Sequence, residues 1–490
     1  MRATVILFIT IVCCMSLFFL DEDQLHLAAP MLSCILVIVW MTYALCMKDG
    51  TIPVLDIGII CALASFVYSV VPLVAFWANG YRFDSLSDAR LAAYVLTPEE
   101  IGNFHWRHVV YLAALAGSYL IFRKGSPIPT GGVEYLDRSQ RHAILCLFAL
   151  LWSYFIILWV TTGFTMHYSY QEDGSLQFLR LMSAMPLIVT QISVKLYGIF
   201  FLTKLALLFI VVQRCRAKSW RLVLLIWIVC EVVYTFELKG ARSELVFFLI
   251  GAALMYHRLV ARLSLRFLLP AGALLLAFFT FMGIYRSQMG LDETMVAIGQ
   301  TQGGFLGVGG EFEALFGTAY DVYQRVVLGG GELPWYIYIN DVSTLLPPQQ
   351  LLPFEKITAS EWYLRLINVS GMGVGYMWGV ITQSIVGLDW IELIIRGSVL
   401  GFALAKIYDW YTRRNENFLA NIVYIYLCIR VYYTFRDTTG ALLTFIVWEV
   451  LPFCALFLMF RALFPSRVRQ KIRHQASGPV KDFSEVYRNV

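Results

Sequence analysis

The chain has 490 residues, 59% of them hydrophobic and 14% charged, with a net charge of +5. Soluble globular domains carry about 25% charged residues, so a water-soluble enzyme is excluded and a membrane protein with many spans is expected. The small positive excess calls for no nucleic acid, because Lys and Arg gather in short loops and at the C-terminal end, as signals of membrane orientation do.

A bilayer crossing needs about 20 apolar residues, and about twelve segments come close to that length. They run over 3–20, 28–47, 57–77, 109–122, 143–160, 197–212, 222–238, 244–259, 267–285, 390–410, 418–435 and 442–460. The first follows Met1-Arg2 and ends at Leu20-Asp21-Glu22 without a small-residue cleavage pattern. It therefore reads as a span and not as a removable signal. Ten cysteines lie mostly inside apolar runs and form no C-x-x-C, so they read as small buried hydrophobes.

Basic residues set the expected orientation. Lys48, Arg123, Lys124, Arg138 and Arg141 fall in alternate loops together with Arg214, Arg216, Lys218 and Arg221, and the same side collects Arg258, Arg262, Arg266, Arg413, Arg414 and the tail from Arg461. The positive-inside rule places these loops, and both termini, in the cytoplasm. The expected plan has transmembrane helices 1–9 over 1–284 and a large extracytoplasmic loop with interfacial helices over 285–389. Helices 10–12 follow over 390–460, then a basic cytoplasmic tail over 461–490. Within the loop, 373–386 reads as an interfacial or re-entrant helix. Asp389 reads as the N-cap of the next span, with Glu392 completing a capping box.

The loop is too rich in Gly and Pro for one helix and too rich in aromatics and Leu for a linker. It holds Arg286, Arg325 and Arg365 beside Glu311, Glu313, Asp321, Glu355 and Glu361. A guanidinium donates two parallel bonds to a phosphate, and a carboxylate can take a proton from a hydroxyl. Glu311 or Glu313 is the candidate base. Trp335 and Trp362 are candidates for stacking on sugar rings, or for the interfacial aromatic belt.

The hairpin between 222 and 259 turns through Lys239-Gly240-Ala241-Arg242-Ser243-Glu244. Two short flanking helices would pull this turn below the headgroups, where Arg242 could bind an anion; the plain alternative is an Arg242–Glu244 pair. Inside the later spans, Arg430 and Arg436 either join an anion site or snorkel outward. Lys204 is expected to pair with Glu231 or Glu449, and Arg396 is a further charge within a span. No H-E-x-x-H occurs and no G-K-[ST] follows a glycine-rich loop, so neither a metal nor a nucleotide cofactor is expected.

The hairpin KGARSE, the outer PWYIYINDVSTLLPPQQLLPFEK with EWY, the stretch GMGVGY and the late TFRDTTG resemble the bacterial oligosaccharide repeat-unit polymerases, the O-antigen (Wzy-type) family. The resemblance covers the second half, from about Leu222 to Phe460. It implies an all-α, polytopic, GT-C-like transferase of the bacterial inner membrane. Such an enzyme joins undecaprenyl-diphosphate-linked oligosaccharides on the periplasmic side, without nucleotide sugar or metal, alongside a chain-length regulator and a flippase. Matched by motif, Arg242 and then Arg286 and Arg436 would be its functional arginines. Relatives often carry an acidic residue in the helix after GMGVGY; here the stretch is Val380-Ile381-Thr382-Gln383-Ser384. An O-antigen ligase and a lipid-linked oligosaccharide flippase are the alternative readings.

Overall fold

The structure is a computed structural model, and it describes residues 2–17, 19–50, 54–83, 91, 94–128, 133, 135–162, 187–237, 242–288, 295–296, 299–300, 311–338, 340–343, 345, 359–367 and 378–464. The described residues form helices and connecting turns, with no strand among them. Among the described residues the long helices that come first are α1 (Arg2–Leu17), α2 (Glu22–Asp49), α3 (Ile57–Ala78), α4 (Pro98–Phe122), α5 (Arg138–Thr162), α6 (Leu187–Arg214), α7 (Lys218–Glu237), α8 (Arg242–Leu259) and α9 (Leu265–Gln288). The outer segment supplies α10 (Glu311–Val322), continued by a π turn (Tyr323–Leu328), and the short α11 (Ala359–Leu366) and α12 (Gly379–Val386). The chain closes with α13 (Trp390–Thr412), α14 (Phe418–Arg430) and α15 (Ala441–Leu463).

Among the described residues, six helical stretches are long and apolar enough to cross a membrane: Glu22–Asp49, Ile57–Ala78, Arg138–Thr161, Lys195–Arg214, Phe418–Arg436 and Ala441–Leu463. The protein is thus an all-α membrane protein. Local chemistry sets the helix ends. The Asp21 carboxylate accepts from the Gln24 amide at 2.8 Å and starts α2, while Gly50, at φ +70°, ends it in a left-handed turn. Asp56 caps α3 through the amides of Gly58 and Ile59.

The central pair is α4 with α13, neither of which is purely apolar. Gly397 and Gly401 lie four apart on α13 and let its backbone approach α4. A Cβ on either would come within 2.6 Å of the Tyr111 carbonyl oxygen or collide with that of Leu115. Ser118 of α4 donates to the Ser398 carbonyl at 2.7 Å across the same seam. Small residues at this spacing are a common way to bring membrane helices together.

Several expected boundaries shift. α4 begins at Pro98 and not near 109, because Thr97 and Glu100 form a capping box that extends the helix over a polar first turn. Helices α7 and α8 have 20 and 18 residues, rising about 30 and 27 Å. They are longer than the expected segments 222–238 and 244–259, and close to the thickness of a hydrocarbon core of about 30 Å. The turn itself, 238–241, lies outside the described residues. Helix α12 is too short to span, and every one of its residues is buried. It is packed inside protein, as a re-entrant segment is, and does not lie on the surface.

Asp389 is no N-cap. It sits at φ +47° without a side-chain bond to the helix it precedes, and the Glu392 carboxylate accepts from the Leu388 amide instead. The Asp389 carboxylate is turned to Arg107 of α4.

The two ends of the bundle differ in chemistry. At one end Arg123 binds Asp49 at 2.5 Å and Asp56 at 3.0 Å, with Tyr119 donating to Asp56 at 2.7 Å. At the same end the Asp409 carboxylate accepts the amides of Lys124 and Gly125, and Arg258 donates to the Asn415 carbonyl. Arg461 pairs with Asp137 there as well. This is the end that holds many of the loops read as cytoplasmic. The outer segment packs on the opposite end.

Candidate functional site

Three groups of polar residues line the end of the bundle covered by α10–α12. The first is centred on Asp321, a fully buried carboxylate in α10. It accepts from the Tyr363 hydroxyl at 2.7 Å, from Arg325 Nε at 2.8 Å and from the Tyr94 hydroxyl. Burial pushes its carboxyl up, but the Arg325, Tyr94 and Tyr363 donors outweigh that and hold it below the usual carboxylate range. Beside this cluster, Arg107 lies among the rings of Phe104, Tyr323 and Trp390.

The second group joins two of the motifs. Asp341 comes from the outer stretch Asn340-Asp341, and it binds Arg396 of α13. Arg396 also donates to Glu392 at 2.6 Å and to the Thr439 hydroxyl at 2.7 Å. The Gly440 amide points to Asp341 at 3.4 Å. The late motif TFRDTTG is thereby fastened to the outer segment. Within it, Arg436 reaches the Tyr432 hydroxyl at 3.4 Å and lies 5.6 Å from the Tyr433 ring centre. Asp437 follows, its carboxyl pushed up to about 6, chiefly by burial and against the pull of Arg436, with the negative charge of Asp341 adding to the rise. A carboxylate of that strength, beside an arginine, is suited to accept a proton near neutral pH.

The third group lies deeper. The Arg430 guanidinium is enclosed by the rings of Phe201, Phe247, Tyr426, Tyr433 and Phe445, each 5.0–5.5 Å from its centre. Its Nε donates to the Tyr426 hydroxyl at 3.0 Å, and that hydroxyl donates to Glu449. Glu449 lies 3.8 Å from Arg430. Gly198 of α6 makes room for the Glu449 carboxylate, which any Cβ there would strike. Lys204 pairs with Glu231 at 2.6 Å, and Trp227 donates to the same carboxylate at 2.9 Å. That settles the partner of Lys204, with Glu449 left to Arg430.

The sequence candidates separate accordingly. Arg430 and Arg436 come together around Tyr433. Arg242 opens α8, five residues before Phe247 of the Arg430 cage, so its backbone lies about 8 Å further along the helix axis. Arg325 is half exposed and paired with Asp321, and Arg365 is exposed on α11. Trp335 is 72% exposed, whereas Trp362 is buried, its ring 5.7 Å from that of Trp378 in an edge contact. Glu313 is fully buried. The side chains of Arg242, Arg286 and Glu311 lie outside the described residues, as do those of Glu355 and Glu361 and the stretch 371–376.

Sequence reading missed Asp341, Arg107 and the Asp56–Arg123–Asp49 cluster as partners. A usable signal existed for Arg107: Thr97-Pro98-Glu99-Glu100 is a helix start, which places Arg107 on α4 and not in a loop. Among the described residues no group of three or more His, Cys, Asp or Glu side chains could hold a metal. No protein-family model matches the chain, and no match is found among curated proteins or among solved structures.

Proposed function

We propose that the protein is a membrane glycan polymerase that joins undecaprenyl-diphosphate-linked oligosaccharide units at the end of the bundle covered by α10–α12. The reading includes about twelve spans in a GT-C-like arrangement in a bacterial inner membrane, with both termini cytoplasmic and the outer segment periplasmic. The observation that carries it is the junction of Asp341 with Arg396 and Thr439, which fixes Arg436 and Asp437 beneath the outer segment.

In this reading Arg436, with Arg242 and Arg286, neutralises the lipid diphosphate, which is already a good leaving group. The acceptor hydroxyl oxygen bonds to the anomeric carbon of the donor sugar. The bond from that carbon to the diphosphate oxygen breaks, and the lipid diphosphate departs with the electron pair. Asp437 takes the hydroxyl proton, with Glu311 as the alternative base. Buried Glu313 and caged Arg430 support the site from behind. Preorganised charge and proximity supply the rate. Trp335, exposed at the rim, is placed to stack on a sugar.

The test is a reconstituted reaction with a lipid-diphosphate oligosaccharide and no nucleotide. A ladder of repeats, abolished by Arg436→Ala and strongly slowed by Asp437→Asn, supports the reading. Transfer of a single unit to another acceptor makes the protein a ligase. Movement of the lipid-linked sugar between leaflets without product makes it a flippase, a reading that the half-buried pair Lys204–Glu231 favours.

A further inference from the structure

A groove of about 600 Å³ opens on the outside of the bundle, between α13, α14 and α15. Its walls are mostly apolar: Val423 and Leu427 of α14 face Ile446, Val450 and Leu451 of α15. Its mouth is basic. Lys406, Trp410 and Arg414 recur every four residues, so they form one stripe along α13 and the turn after it. The stripe covers about 12 Å along the axis. Arg414 stacks over the Trp410 ring at 5.8 Å, and Lys406 reaches back over Phe402 at 5.2 Å.

Both cations are exposed. Lys406 lies six residues inside the end of α13, about 9 Å from it, on a helix that also exposes the apolar Val399 and Phe402. A bare ammonium at that depth is costly unless an anion meets it. Among the described residues neither Lys406 nor Arg414 forms an ion pair. Asp409, next to the stripe, is buried and taken up by the Lys124 and Gly125 amides. The positive charge therefore looks outward, toward the membrane, at the end of the bundle that carries Arg123, Arg258 and Arg461.

We propose that this groove binds one anionic phospholipid of the leaflet on the basic side. The Lys406 ammonium and the Arg414 guanidinium hold its phosphate, the Trp410 ring sits at headgroup level, and one acyl chain lies along Val423, Leu427, Ile446 and Val450. Charge complementarity selects the headgroup, and an open apolar trough of this size suits a chain. The site is at the opposite end from Arg436 and Asp437, so it is independent of the proposed polymerase chemistry.

The full-length protein, purified in mild detergent, is titrated with phosphatidylglycerol or phosphatidylcholine of identical acyl chains and followed by native mass spectrometry and thermal melting. One phosphatidylglycerol is expected to be retained and to raise the melting temperature, with binding about tenfold or more tighter than phosphatidylcholine. The double variant K406Q/R414Q should lose that preference, and K406R/R414K should keep it. Leu451→Trp, which fills the trough from an exposed position, should weaken both lipids. Equal retention of the two lipids overturns the proposal. So does an unchanged preference in K406Q/R414Q, or a groove closed by a second copy of the chain that carries no lipid.

Discussion

Arg107 of α4 holds Asp389 in a two-bond fork, Nε to Oδ1 at 2.8 Å and Nη2 to Oδ2 at 2.7 Å. Asp389 is one of two non-glycine residues in the left-handed region among those described, at φ +47°. The ion pair holds a backbone shape that an aspartate resists. Arg107→Ala should therefore lower stability by about 2 kcal/mol, less than for a fully buried pair because Asp389 is partly exposed. Asp389→Gly should be milder than Asp389→Ala, since glycine removes the backbone strain while both lose the fork. Thermal melting of the three variants in one detergent checks the order. An Ala variant as stable as the Gly variant would count against strain at this position.

Gly198 is required by Glu449 rather than by its own helix. A methyl group at 198 meets the carboxylate directly, and that carboxylate is the acceptor of Tyr426 and the counter-ion of Arg430. Gly198→Ala should thus behave like Glu449→Ala: each leaves Arg430 short of its counter-ion and should cost about 3 kcal/mol or more. If the two losses share a cause, the double variant should fall well short of their sum. A double-mutant cycle by thermal melting measures this, and strictly additive losses would separate the two effects.

The overall class was readable from sequence because membrane crossing is a matter of length and apolarity, which composition reports directly. The pairing of Lys204 with Glu231 was within reach for the same reason: few charges fall inside spans, so few partners exist. The α4–α13 seam was harder. Arg107, His105 and His108 make α4 look too polar for a core helix, yet Tyr111, Leu115 and Tyr119 bury its other positions completely. The Gly397–Gly401 spacing was visible, but nothing in the chain alone says which helix meets it. Asp341 lies 55 residues before Arg396, and a pairing across that distance is fixed only when the outer segment folds back. The apparent capping box at Asp389 failed because a long-range ion pair outcompeted a local bond.

Asp437 gives a pH dependence with a definite sign. Its folded carboxyl is raised to about 6 from the ordinary 3.8. The folded protein therefore binds a proton more tightly than the unfolded chain between these values. Its contribution to stability is full below about pH 4, declines through pH 6 and stays flat above. Asp437→Asn should remove that slope and leave the protein at least as stable at pH 7. Melting temperatures from pH 4.5 to 8 test this. In the proposed reaction the same titration appears as a rate that rises through about pH 6, and the Asn variant should lose that limb while retaining donor binding.

Trp335 and Trp362 were interchangeable as sequence candidates, and the structure makes them opposites. Trp335 is 72% exposed at the rim. Trp362 fills a small second core with Tyr363, Trp378 and Val322, and Gln383 bridges that core by accepting from the Trp378 indole and donating to the Ile337 carbonyl. Truncating a buried aromatic costs about 3–5 kcal/mol, so Trp362→Ala should loosen α11 and α12 together and lower the melting temperature clearly. Trp335→Ala should leave stability within about 0.5 kcal/mol, as surface changes usually do. If Trp335 stacks on a sugar, its loss raises KM for the oligosaccharide donor without moving the melting temperature. Trp335→Phe should restore most of the binding because the ring face is kept. An unchanged KM in Trp335→Ala removes this tryptophan from the site and leaves sugar recognition to other residues of the outer segment.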